Sequence, residues 1–109
     1  MSFRVVDSAG VTTVFLDGEI DLERSPDARK ALLHALSKGQ SLLVDLAEVE
    51  YMDSSGLASL VEVHQRAREK SVEFALTRVS PPVMKVLQLA RLDQVFAIRT
   101  SQTPAGKGK

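Results

Sequence analysis

The chain has no cysteine and no tryptophan, and only one tyrosine and four phenylalanines among its 109 residues. Without cysteine it has no disulfide, no thiol nucleophile and no thiolate metal site, which suits a reducing compartment. Its two histidines, His34 and His64, lie far apart and lack the close spacing of a ligating pair, so no metal site and no other cofactor is expected. Neither sign of charge is in excess, with 14 Lys and Arg against 14 Asp and Glu. A global pull toward nucleic acid or an acidic membrane is thereby excluded. No apolar run approaches the roughly 18 residues that span a bilayer. Met1-Ser2-Phe3-Arg4 leads straight into strand-like sequence with no apolar signal region. The expectation is one soluble cytoplasmic domain, with no nucleic-acid partner and no membrane insertion.

What is present is a regular alternation of elements. Phe3 to Val6 and Val11 to Leu16 read as strands joined by a turn at Asp7-Ser8-Ala9-Gly10. The second strand ends at Asp17-Gly18, and Glu19 to Glu23 reads as a loop or bulge. Ser25 as N-cap, Pro26 at the first helical position and Asp27 in the first turn announce a helix. Its inward stripe is Ala28, Ala31, Leu32, Ala35 and Leu36, and Gly39 closes it. Ser41 to Leu46 is the apolar run of a buried central strand, and Ala47 to Met52 connects it to a helix from Asp53 to about Lys70. That helix shows Leu57, Leu60, Val61, His64 and Ala67 on one face. Val72 to Leu76 is a strand. Ser80-Pro81-Pro82 repeats the cap-then-proline signal before a stripe of Val83, Val86, Leu87 and Ala90, and Val95 to Ile98 reads as an edge strand. The polar, basic run from Thr100 reads as a tail. Short links between alternating strands and helices predict an α/β fold: a small mixed, largely parallel sheet packed with three to four helices over residues 1–99.

Asp53-Ser54-Ser55-Gly56 is the most informative stretch. An aspartate N-cap there contributes about 1 kcal/mol. Gly56 is the odd member, because glycine in a helix is about 1 kcal/mol worse than alanine. Close approach by another backbone or a ligand would explain it, as would simple packing against the sheet. Asp45, between Val44 and Leu46, points to the opposite strand face and is expected to bond the loop backbone ahead of the second helix. His64 reads as a core-edge histidine satisfied by one hydrogen bond. Met84 and Leu89 lie off the inward stripe of the third helix. Exposed apolar residues of that kind are usually incidental. Ser54 has no base nearby in sequence, and no phosphate loop, nucleophile elbow or paired-carboxylate pattern is present, so no catalytic residue and no enzymatic activity are expected.

Tyr51-Met52-Asp53-Ser54-Ser55-Gly56-Leu57 closely resembles the signature of STAS domains, above all of bacterial anti-sigma factor antagonists. Gly18-Glu19-Ile20-Asp21 is similar to the family's Gly-Glu-apolar-Asp loop, and Val44-Asp45-Leu46 to the strand before the signature. The three segments stand in register, and the resemblance runs from about Phe3 to Ile98. It implies phosphorylation of Ser54, with Ser55 the second choice, by a serine kinase that is itself the anti-sigma factor. It also implies a partner-binding surface of Asp21, Asp53, Ser54, Ser55, Gly56 and Leu57, and a partner-switching role in which a phosphatase is a further partner. Three departures concern which branch of the family the chain represents. Ala58 stands where antagonists commonly have glycine, Arg68-Glu69-Lys70-Ser71 lacks a glycine before the next strand, and Ala90-Arg91-Leu92 replaces a Thr-Gly-Leu-like turn. The alternative is a STAS accessory subunit of a lipid-transport ABC transporter, docked on the ATPase subunit without a phosphate. Such subunits often lack the double hydroxyl. A nucleotide- or small-ligand-binding STAS domain is a third reading, resting only on the affinity of helix N-termini for anions.

Overall fold

The computed structural model describes residues 3–99. The tail expected over 100–109 lies outside them. Strands β1 (Arg4–Ser8) and β2 (Val11–Ile20) form a hairpin whose turn residues Ala9 and Gly10 both have positive φ, 53° and 80°. This two-residue geometry matches the right-handed twist of the flanking strands. There follow α1 (Ser25–Leu36), β3 (Ser41–Met52), α2 (Ser54–Glu69), β4 (Phe74–Thr77), α3 (Pro81–Leu89), a 3-10 turn (Leu92–Gln94) and β5 (Ala97–Arg99). The sheet order is β1-β2-β3-β4-β5, with β1 antiparallel and every later pairing parallel through a helix. This is the mixed, largely parallel α/β architecture expected, with three α-helices and one 3-10 turn.

The core lies between the sheet and the helices. Val14 and Leu16 of β2, Leu42, Val44 and Leu46 of β3, and Leu76 of β4 are almost fully buried. They meet Leu32 and Leu36 of α1, Leu60 and Val63 of α2, and Val83 and Leu87 of α3. The edge strand β1 is exposed along its whole length. Among the described residues no helix is long and apolar enough to cross a membrane.

The main departure from the expected fold is the length of the two central strands. Glu19 and Ile20 continue β2, and Ala47 to Met52 are not a connection but the second half of β3. The reason is two bulges. Phe15 pairs with Asp45 but Asp17 with Glu48, and Gly18 pairs with Val49 but Glu19 with Tyr51. Each step gives β3 one extra residue. Its inward apolar positions therefore run Leu42, Val44 and Leu46, then Val49, then Met52. A period of two that jumps to three looks like a loop in sequence, yet it keeps Val49 and Met52 in the core and turns Glu48, Glu50 and Tyr51 outward.

Smaller corrections have local causes. Ser25 is not the N-cap of α1 but its first helical residue, buried, while the Asp21 carboxylate accepts from the backbone N–H groups of Glu23 and Arg24 at 3.1 Å each. The inward face of α2 is Gly56, Ser59, Leu60, Val63 and Ala67, with Leu57 and Val61 only partly buried, because its smallest residues take the closest contacts. His64 makes no hydrogen bond among the described residues. Its ring instead stands edge-on to Phe74 (5.8 Å) and Phe96 (5.3 Å). Burial first, and then the charge of Arg68, hold its pKa below the usual histidine value. The Ser80 hydroxyl does not cap α3 but donates to the Val49 carbonyl at 2.6 Å, tying α3 to the extended end of β3. Ala90 is exposed rather than inward. Strand β4 begins at Phe74 and β5 at Ala97, each two residues later than expected.

Candidate functional site

Helix α2 begins at the far end of β3. Asp53 is its N-cap in extended conformation, and Oδ1 accepts from the backbone N–H groups of Ser55 (2.9 Å) and Gly56 (3.2 Å) and from the Ser55 hydroxyl (2.5 Å). The Ser55 hydroxyl bond leads in holding the Asp53 carboxyl below its ordinary pKa; partial burial opposes it and the backbone donors add to it.

This bonding separates the two serines. The Ser55 hydroxyl is committed to the cap. Ser54 is exposed, and its hydroxyl makes no hydrogen bond among the described residues. It stands in the first turn of α2, at the positive end of the helix dipole, which favours an anion.

Gly56 answers the question its sequence position raised. A Cβ there would lie 2.6 Å from Met52 Cγ, 2.8 Å from the Ile20 carbonyl oxygen and 3.0 Å from Ile20 Cγ2. The Ile20 carbonyl also accepts from Asp53 N–H at 3.3 Å. The helix start is thus pressed against the end of β2, and only a missing side chain allows it.

The Gly18-Glu19-Ile20-Asp21 segment, the bulged end of β2 and its exit, is shaped by Arg24, a residue with no signal in the sequence beyond its type. The Arg24 guanidinium donates to the Asp17 carbonyl (2.7 Å), the Glu19 carbonyl (3.3 Å) and the Asp17 carboxylate (2.9 Å), and lies 4.8 Å from the Phe3 ring centroid. Gly18 has φ of 68°, and a Cβ on it would meet Arg24 Nη1 at 2.7 Å. Glycine is favoured there by its backbone conformation, and a side chain would also displace the Arg24 guanidinium from its bonds. Asp21 turns its carboxylate into its own turn, where it accepts from the Glu23 and Arg24 backbone N–H groups. Leu57 is half-buried against the core, so only part of it faces outward. Asp45 is buried, accepts from Ala47 N–H at 3.0 Å and pairs with Arg78 Nε at 3.2 Å. It thus bonds the segment expected to lead into α2, which is the bulged half of β3 and not a loop. Among the described residues no three His, Cys, Asp or Glu side chains gather as a metal cluster would.

A mostly parallel sheet that presents a capped Asp-Ser-Ser-Gly helix start beside the Gly-Glu-Ile-Asp end of β2 defines a class of small α/β domains. Residues 2–105 match the STAS domain family model, and the chain belongs to the STAS family. A relative from Listeria monocytogenes named anti-sigma-B factor antagonist is 31% identical over 87 residues, covering 79% of this chain and 76% of its own. The crystal structure of an anti-sigma factor antagonist from Mycobacterium paratuberculosis is 26% identical, with a TM-score of 0.81 over 89% of this chain and 83% of its own. The Bacillus cell fate determinant SpoIIAA in its phosphorylated form shares the fold, with a TM-score of 0.71 and 19% identity over 93% of this chain and 92% of its own.

Proposed function

We propose that this protein is an anti-sigma factor antagonist of the bacterial cytoplasm. It binds an anti-sigma kinase through the Asp53–Gly56 helix start while unmodified, and leaves it once Ser54 is phosphorylated. The observation that carries this reading is the division between the hydroxyls: Ser55 closes the cap, while Ser54 is exposed and unbonded at a helix N-terminus. The names of its relatives support the antagonist role. That a phosphorylated relative keeps this fold supports a switch that leaves the domain intact.

The chemistry sets the direction of the switch. Phosphoryl transfer requires the ATP γ-phosphate in line with the Ser54 hydroxyl oxygen, so what faces Ser54 in the docked complex is itself polyanionic. Transfer moves the phosphoryl group onto that oxygen, adding about 1.5 to 2 negative charges. Within the domain the helix N-terminus accommodates them. Across the interface they face the nucleotide's remaining phosphates, with the Asp53 carboxylate already beside Ser54 at the cap, and the complex opens. A phosphatase then resets the protein. Ser54 acts as an acceptor and not as a nucleophilic catalyst: His64, the histidine on the same helix, packs against Phe74 and Phe96.

The test compares Ser54→Ala and Ser54→Asp in binding to the anti-sigma kinase. Ser54→Ala should bind like the unmodified protein and Ser54→Asp at least tenfold more weakly, about 1.4 kcal/mol. Equal affinities would refute the charge switch and favour a static contact, as on a transporter ATPase subunit.

A further inference from the structure

Two of the exposed large apolar side chains stand at the end of the sheet where α2 begins. Leu22, between β2 and α1, is 76% exposed, and Tyr51, two residues before the cap, is 50% exposed. Neither position is a packing accident. Leu22 follows Asp21, whose carboxylate accepts from the backbone N–H groups of Glu23 and Arg24 and so shapes the turn that carries it. Tyr51 is turned outward by the second β3 bulge, opposite Glu19 in the ladder.

Their surroundings are acidic. Segments 17–24 and 48–53 hold Asp17, Glu19, Asp21, Glu23, Glu48, Glu50 and Asp53, seven of the chain's 14 acidic residues, and one cation, Arg24. The Arg24 guanidinium is engaged with Asp17 and two loop carbonyls. Glu19, Glu23, Glu48 and Glu50 are exposed, and none forms an ion pair among the described residues. Because the whole chain is neutral, this is a local excess. The β2–β3 register sets Asp17 opposite Glu48, and of the two only Asp17 has a cation, Arg24, as partner among the described residues. An exposed leucine among unpaired carboxylates contributes little to folding. Apolar anchors inside a charged rim are what a specific protein contact uses.

We infer that Leu22 and Tyr51 are apolar anchors of the partner contact within an acidic rim led by Glu19, Glu48 and Glu50. The surface therefore fits a protein that presents basic side chains around an apolar socket. This rests on the reading of the Ser54 site as a docking site and adds which residues carry affinity and approach. The rim and the phosphate act oppositely: the rim attracts cations bordering the kinase's nucleotide pocket, whereas Ser54 faces the nucleotide itself. Rim charges govern association rate and salt dependence, and buried anchors govern dissociation.

The experiment measures association and dissociation rates with the purified anti-sigma kinase from the same organism, at low and physiological salt. Leu22→Ser and Tyr51→Ser should each weaken binding about tenfold or more through faster dissociation, with melting temperatures near that of the unsubstituted protein. The double variant Glu48→Lys, Glu50→Lys should associate about tenfold more slowly at low salt, with a flatter salt dependence. Leu89→Ser, a change at an equally exposed leucine on α3 (79%), should bind normally. Leu22→Ser and Tyr51→Ser within twofold of the parent, while Ser54→Asp still weakens binding, would overturn this inference and leave the Ser54 reading standing. An unmodified protein that does not bind the kinase would overturn both.

Discussion

Replacing Gly56 by alanine sets two opposing effects against each other, and the structure decides between them. Helix propensity alone favours alanine by about 1 kcal/mol in a helix interior, and by less in a first turn. The added methyl would sit 2.8 Å from the Ile20 carbonyl oxygen and 2.6 Å from Met52 Cγ. Met52 is 2% exposed and has little room to swing away. The Ile20 carbonyl is backbone and already accepts from Asp53 N–H, so retreat would strain the cap. Overpacking of this kind costs about 1–3 kcal/mol. The net expectation for Gly56→Ala is a loss of about 1–2 kcal/mol, which for a domain near this size lowers the melting temperature by roughly 5–10 °C. Urea unfolding followed by circular dichroism measures it, with an unchanged m-value showing that the folded state stays compact. A variant as stable as the parent would refute the close-approach account of the signature glycine.

Ser71 and Arg91 have φ of 58° and 61°, a conformation costing non-glycine residues about 1–2 kcal/mol. After the extra chain entropy of glycine, Ser71→Gly and Arg91→Gly should each stabilise by about 0.5–1 kcal/mol; melting temperatures that do not rise would contradict this. At Ala58, mid-helix and exposed, the same change to glycine should instead cost about 1 kcal/mol. The Asp53 carboxyl is depressed in the folded state. Its ionised form therefore contributes stability that is complete above the unfolded value near 3.9 and is lost as pH falls through the folded value. The stability difference between the parent and Asp53→Asn should accordingly shrink as pH drops from about 5 to about 2. A difference independent of pH, by urea titration, would show that the cap bonds do not depend on charge.

Much of this could be read from the residues. The element order, the Asp53 cap and the buried β3 run follow from periodicity and capping chemistry, and the family resemblance located the loop and helix start together. What escaped were features set by partners distant in sequence. The second half of β3 has no period-two pattern, because two bulges against β2 reset its faces. The N-cap position expected at Ser25 falls on Arg24, which makes no side-chain cap bond, while Asp21 bonds the turn that precedes the helix. Ser80 finds the Val49 carbonyl instead of its own helix. Arg24 carries no pattern in the sequence, yet it organises the carbonyls of Asp17 and Glu19 beside residue 18. The missing glycines hid a related point: Ser71 and Arg91 keep the left-handed turns that glycine would adopt more easily. Leu22 and Tyr51 gave no signal, because exposure is a property of the loop and of the bulge.

The central claim is that Ser54 accepts a phosphate and that the phosphate ends the kinase complex. Incubating the protein with its anti-sigma kinase and ATP, and following intact mass, site mapping and complex size in one time course, tests it most directly. The account predicts one phosphate, mapped to Ser54 and absent from Ser54→Ala, with dissociation keeping pace with its appearance. An unchanged mass, a phosphate mapped to Ser55, or a complex that persists after phosphorylation would contradict it.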